Sequence, residues 1–447
     1  MTLQNEVFEA YRAQILAHRE ENEAGAQAMK EAIENSPLKY NGVLEKTVHI
    51  PKVFDEQTAA HFQKIVETSC RILGKVIQGY REDEAIRKLF PFSKELEELI
   101  LLPKPYEGVL PISRLDLFYH EDTGEFQFCE INTDGTAAMF RDVELRKALA
   151  YNPAHRAVEQ MYELEPFELF DSWVSTFMGL YATYAKKMDK PHVALVDFLE
   201  NATYPEFESF AEAFRKAGVS CGIYDIRTLQ YKDGKLLAED GTWINAIYRR
   251  VVTADIMTHY DEVGAFLDAV REDAVFLAGA FETQLIHTKW LFYVLHHPTM
   301  RQYLTKEEQD FVDAHVPKTV EFSSEYIELE EVKRNKDGYI LKPMDAYASK
   351  GIYAAGREYE QQAWETLCAD LYGKGMICQQ YCEQYMTPNI DFAWGDGEWH
   401  PYINMPGLYS YNGKFAGILM RLTCEEKIIV AHENERTAPV FVVKGRK

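Results

Sequence analysis

The chain has 447 residues, 47% hydrophobic and 27% charged, a mixture that excludes disorder and calls for a large multilobed globular protein with room for a deep cleft. Its formal charge of −23 argues against nucleic acid or anionic membrane as a general partner, because the mean field repels phosphates and any anionic ligand needs a local basic pocket. The start MTLQNEVFEAYRAQILAHREE lacks an apolar signal-type core and no later run of about 18 apolar residues could span a bilayer, so a cytoplasmic protein is expected.

Residues 1–35 read as one helix, with Val7, Tyr11, Ile15 and Leu16 at helical spacing, and a second helix is expected over about 55–79. From 108 to 133 the pattern turns to strands: VLPISRLDLFYH alternates, EDTGE turns, and FQFCEIN resumes the alternation. Amphipathic helices are expected from about 142 to 187, then a boundary near 190, where PHVALVDF begins a small α/β unit with a parallel sheet running to about residue 250. No GxGxxG follows its first strand, which argues against a dinucleotide site there. Helices near 260–270 and 284–296 come next, then a strand ending at Lys342, a loop over 343–351 and a return strand at 351–355. A hairpin with a lysine on each side of its loop suits a phosphate-covering lid. The seven cysteines (Cys70, Cys129, Cys221, Cys368, Cys378, Cys382, Cys424) include no CxxC pair, which points to neither a disulfide framework nor a zinc knuckle. Cys378 and Cys382 would share a helix face, though buried thiols are the simpler reading.

Chemistry gathers at five places. In the hairpin, Arg114 and Asp116 share one strand face, and Glu130, Asn132 and Asp134 alternate on the partner strand. If the hairpin closes around 121–125, Asp116, Glu130 and Asn132 present hard oxygen ligands around one point, as Mg²⁺ between nucleotide phosphates requires. A solvated face with cross-strand charge pairs fits the same spacing. The small residues Gly135, Thr136, Ala137 and Ala138 that follow favour close approach of a ligand to the backbone. Lys342 and Lys350 can neutralise triphosphate oxygens, although a surface lysine before a turn proline is the commonplace alternative. In ICQQYCEQY, Gln379, Gln380 and Glu383 can meet an adenine edge, or the segment is an ordinary core strand. Arg421 in GILMRL and Arg249 and Arg250 in IYRRV stand at expected strand ends, where arginine grips phosphate or carboxylate or simply forms a salt bridge. The sequence has no GxxxxGK[ST], HExxH, GxSxG or HRDxxxxN set.

The stretch RLDLFYHEDTGEFQFCEINTDGT resembles the RxDF…EINADTPT signature of glutathionylspermidine synthases and the circularly permuted ATP-grasp proteins grouped with them, and the likeness extends over roughly 108–136, 280–290 and 340–425. The resemblance implies an α/β (α+β) ATP-grasp fold, circularly permuted, with N-terminal helices and a metal-binding part over 1–190, an inserted pre-ATP-grasp unit over 191–275 and the nucleotide-binding remainder over 276–447. Carried across residue by residue, it implies Asp116, Glu130 and Asn132 as magnesium ligands and Arg114 as the arginine that steadies the transferred phosphoryl group. By the same resemblance Lys342, and Lys289 in HTKWLF, look like nucleotide-phosphate lysines, and Arg421 is similar to the family arginine that faces the acyl-phosphate region. The lid sequence DAYASKG departs from the family's GREG-like loop, and Gly135 and Ala137 replace serines, which leaves the acceptor and the thiol-peptide substrate open.

The implied activity is ATP- and Mg²⁺-dependent ligation of a carboxylate to an amine through an acyl phosphate, in a site that supplies alignment, metal ions and positive charge. Rival readings are a small-molecule kinase with a hydroxyl acceptor and a non-catalytic nucleotide-binding protein of the same fold. The acidic surface and 27 tyrosines suit a homodimer or a polyamine acceptor, and a merely solvated surface equally well.

Overall fold

The computed structural model describes residues 2–40, 43–133, 135–344, 354–424 and 434–447. The architecture is mixed α/β, built on a six-stranded antiparallel sheet in the spatial order Arg436–Ala438, Lys414–Thr423, Trp399–Tyr411, Ile112–Tyr119, Phe126–Asn132, with Met386–Ile390 beside the first half of Trp399–Tyr411. One face of this long sheet is apolar: Leu115, Leu117, Ile131, Leu408, Ile418 and Met420 are all nearly inaccessible. They pack against the 27-residue helix Glu56–Glu82, whose Asp55 cap accepts from Thr58 N and whose Phe62, Ile65, Val66, Leu73 and Val76 recur at helical spacing. The opposite face carries the charged residues.

A second sheet, all antiparallel, has the order Thr319–Glu321, Met376–Gln380, Tyr339–Pro343, Ala354–Ala355. A third is wholly parallel, in the order Phe276–Ala278, Ala246–Arg249, His192–Asp197, Ser220–Asp225. Its strand HVALVD is buried along its centre, as a strand covered on both sides must be. The late strand Val440–Arg446 lies between Lys52–Asp55 and Tyr162–Pro166.

Several local expectations are corrected. Residues 1–35 form two helices, Leu3–Ala17 and Arg19–Glu34, broken at His18, whose φ of −133° and ψ of 46° leave the helical region. The stretch 142–187 is not helical throughout, because Tyr162–Pro166 pairs as a strand with Val440–Arg446. The 284–296 helix is two short ones, Gln284–His287 and Leu291–His296. Cys378 stands in the strand Met376–Gln380 and Cys382 beyond it, so the two share no helix face. Among the described residues the return strand of the lid is Ala354–Ala355, and no helix is long and apolar enough to cross a membrane.

Candidate active site

The hairpin Ile112–Tyr119/Phe126–Asn132 pairs Arg114 with Asn132 and Asp116 with Glu130, so that all four side chains start from one face. Beyond Asp116 the register slips at a bulge, setting Leu117 against Phe128 and leaving Cys129 as the extra residue. The bulge keeps Phe128 in the core while Glu130 stays on the polar face, and Cys129 lines a cavity there.

Across the strand Trp399–Tyr411 the register continues: Gly407 faces Asp116, Tyr409 faces Arg114, and Met405 faces Arg421 of Lys414–Thr423. A Cβ on Gly407 would lie 2.5 Å from Asp116 Oδ1 and 2.8 Å from Arg114 Cδ, so only glycine lets this pair lie flat on the sheet.

Asp116 is the hub. Arg114 grips it in a fork, Nε to Oδ1 at 2.7 Å and Nη2 to Oδ2 at 3.0 Å, while Arg421 Nη2 donates to Oδ2 at 2.7 Å and Asn132 Nδ2 at 3.1 Å. Its side chain is fully buried. Glu130, by contrast, keeps about 30% of its side chain exposed, accepts from Asn132 Nδ2 at 3.3 Å and lies 3.8 Å from Lys289 Nζ. Burial pushes the Glu130 carboxyl up, but Lys289, Arg421, Lys342 and Arg114 together outweigh it and bring it down to about 2. Burial opposes the Arg114 charge, and the Asp116 carboxylate more than restores it.

Lys342, from the second sheet, donates to Gln379 Oε1 at 2.7 Å, and Gln379 Nε2 donates to Thr319 Oγ1 at 2.9 Å. A small, partly open pocket lies between the two sheets, lined by Glu130, Cys129, His287, Lys289, Lys342 and Gln379 among others. Among the described residues four cations surround two carboxylates, Asp116 and Glu130, a local positive excess in a strongly acidic chain. Arg421 Nε is buried without a hydrogen-bond partner among the described residues, a donor that an anionic oxygen would satisfy.

Arg114, Asp116, Glu130, Asn132 and Arg421 thus meet on one sheet face, with Lys289 reaching Glu130 from the turn between two helices and Lys342 and Gln379 across the pocket. Gln380 is exposed, and Glu383 pairs with Arg357 at 2.6 Å in solvent, so neither lines that cavity. Lys350, Asp134 and the lid from residue 345 to 351 lie outside the described residues. Arg249 and Arg250 are buried and turned to internal partners: Arg249 donates to Gly279 O and Val251 O, and Arg250 to Glu206.

As a magnesium site the cluster is uneven. Glu130 and Asn132 are adjacent hard donors and Glu130 holds its charge, whereas both Asp116 oxygens are occupied by guanidinium groups. Among the described residues no set of three or more His, Cys, Asp or Glu side chains gathers around a point. Gly407, Tyr409 and His287 carry no motif and escaped the sequence; only the sheet register, with Gly407 on Asp116, would have found the first two.

No family model matches the chain, and no curated protein matches it in sequence. Among solved structures, a glutathione synthetase-like effector from Globodera pallida in its apo form shares the fold, with a TM-score of 0.63 at 11% identity over 94% of this chain and 97% of that one. A candidate gamma-glutamylcysteine synthetase from Methylobacillus flagellatus KT reaches a TM-score of 0.35 at 10% identity, over 87% and 89% of the two chains, too low to carry an argument.

Proposed function

We propose that this chain is an ATP- and magnesium-dependent carboxylate–amine ligase that forms an amide through an acyl phosphate. The observation that carries the reading is the gathering of four cations around Glu130, Arg114 and Arg421 from the long sheet, Lys342 from the second sheet and Lys289 from the turn between two short helices, where they outnumber the carboxylates among the described residues. The fold shared with a glutathione synthetase-like effector supports it. We read the finer architecture as a circularly permuted ATP-grasp fold of the glutathionylspermidine synthase kind, with the parallel-sheet unit of about 191–275 inserted between the 1–190 and 276–447 parts.

In this reading Lys289 and Lys342 hold the β- and γ-phosphate oxygens, and Gln379, which orients Lys342, lies on the nucleotide side. The acceptor carboxylate attacks the γ-phosphorus, the bond to the bridging oxygen breaks, and ADP leaves. Arg114 and the orphaned Nε of Arg421 stabilise the equatorial oxygens as charge spreads over them. The amine then attacks the acyl carbon, phosphate departs with its oxygen, and the ammonium proton passes to phosphate or water. Glu130 and Asn132 would hold magnesium, with Asp116 fixing the arginines beside it. When bound, that ion would supply positive charge that stabilises the leaving group.

Calorimetric titration of a non-hydrolysable ATP analogue, with and without Mg²⁺, tests the reading on the wild type and on a Glu130→Gln, Asn132→Ala double variant. Magnesium-dependent binding lost in the variant is expected, followed by ADP release with an acid and amine pair and an amide product. A phosphorylated product would replace the ligase by a kinase; binding without ADP release would leave a non-catalytic nucleotide protein; no binding to the wild type would sink the nucleotide reading.

A further inference from the structure

The turn that follows the Phe126–Asn132 strand is gripped from two directions. From the long sheet, Arg114 Nη1 donates to Ala137 O at 3.1 Å, and Tyr409 OH donates to the same oxygen at 2.8 Å. From the parallel-sheet unit, Arg250 Nη1 donates to the neighbouring carbonyl, Thr136 O. The turn is pressed onto the Arg250 backbone: Gly135 has a φ of +59°, and a Cβ there would stand 2.6 Å from Arg250 O.

Arg250 is itself held by several partners, although its buried Nε has none among the described residues. Its Nη2 donates to Glu206 Oε1 at 2.7 Å, its Nη1 also meets Tyr248 OH at 2.7 Å, and its guanidinium lies 5.2 to 5.4 Å from the ring centres of Tyr248, Phe207 and Phe210. The other Glu206 oxygen accepts from Phe140 N at 3.1 Å, at the start of the helix Met139–Ala148, where the preceding Ala138 has a φ of +78° and supplies no side-chain cap. One buried ion pair therefore holds both ends of the turn 136–140.

We infer that Arg250, with Glu206, is a positioning residue that fixes Arg114 over the phosphoryl-transfer site through the adjacent carbonyls of Thr136 and Ala137. The inference rests on the nucleotide reading above. It gives the parallel-sheet unit a part in catalysis without contact to the reacting atoms: the unit sets where one site guanidinium ends. A lysine at 250 cannot fork between Glu206 and Thr136 O, because a single ammonium replaces a planar pair of donors. Lys342 donates to Gln379 and Lys289 lies beside Glu130, so nucleotide binding on their side should survive the loss of the Arg250 contacts.

The test compares ADP alone with ADP plus aluminium fluoride, a mimic of the phosphoryl group in flight, both with Mg²⁺, on wild type, Arg250→Lys and an Arg250→Met, Glu206→Met double variant. The double variant removes a buried pair together, which folded chains tolerate far better than removal of one partner. The expected result is ADP affinity within about twofold of wild type in both variants, and an aluminium fluoride enhancement reduced about tenfold or more, as expected when an oriented group is lost. Unchanged enhancement in a folded variant would overturn the inference, as would a parallel loss of ADP affinity, which marks a merely structural role. A wild type that binds no ADP would instead overturn the nucleotide reading, and the inference with it.

Discussion

Two parts of the same site hold their cations in different ways. On the long sheet, Arg114 and Arg421 are locked to a fully buried carboxylate, Asp116, through three contacts of 2.7 to 3.0 Å, and Gly407 leaves Arg114 and Asp116 room to lie flat. Across the cavity, Lys342 is held by the neutral amide oxygen of Gln379, while Lys289, from the turn between two short helices, stands 3.8 Å from the partly exposed Glu130 carboxylate. Arginines bound to a buried anion are already oriented and contribute without reorganising, whereas a lysine on a neutral partner can turn to an arriving phosphate. The difference assigns fixed geometry to the arginines of the long sheet and adaptable charge to the lysines, Lys342 on the second sheet and Lys289 on the helical turn.

The largest effect should come from Asp116→Asn, which leaves two arginines buried without their anion. ADP formation should vanish, and denaturant unfolding should show a loss of about 3–5 kcal/mol. A stable, active variant would break the comparison. Gly407→Ala should come next: with a Cβ 2.5 Å from Asp116 Oδ1, the fork must shift, costing roughly 1–3 kcal/mol in stability. Activity should drop by about a hundredfold, as expected for a misplacement near 1 Å, which steady-state ADP release would measure.

Lys342→Met should act on the other side of the divide. ATP-analogue affinity should weaken by about tenfold, the worth of one charge-assisted hydrogen bond, with less loss of stability than Asp116→Asn. If Lys342→Met destabilised the fold more than Asp116→Asn, the lysine would belong to the rigid part. The smallest effect is a pH dependence. The Glu130 carboxyl falls from an ordinary 4.5 to about 2 in the folded chain, so between those values the unfolded state binds the extra proton. Its stabilising contribution is complete above about pH 4.5 and is lost as pH falls towards 2. Thermal melts of Glu130→Gln over that window should fall less steeply with acid than those of the wild type; equal slopes would remove the four-cation account.

Much of the polar face was legible in the sequence because it is local. Arg114, Asp116, Glu130 and Asn132 belong to one hairpin, and strand alternation with a turn between was enough to bring them together. What escaped depends on distant partners. Tyr162–Pro166 looks helical until its partner, Val440–Arg446, is known. Gly407 is an unremarked glycine until register sets it on Asp116. Arg249 and Arg250 have the composition of ligand grips, but the parallel sheet buries them among carbonyls and Glu206. Glu383 follows Gln379 closely in sequence, yet the strand Met376–Gln380 ends before it and Arg357 takes its carboxylate.

The strand Trp399–Tyr411, flanked by Lys414–Thr423 on one side and by Met386–Ile390 and Ile112–Tyr119 on the other, also governs when the site can exist. Asp116 is made early, yet its bond to Arg421 spans 305 positions, and Ala137 waits 272 positions for Tyr409. On the ribosome the hairpin therefore emerges with a charged face and no arginine from the later strands to complete it. Contacts of such sequence separation are slow to form, so the charged corner should assemble among the last events of folding, and a chain stalled before residue 399 would carry its first carboxylates without a site to serve.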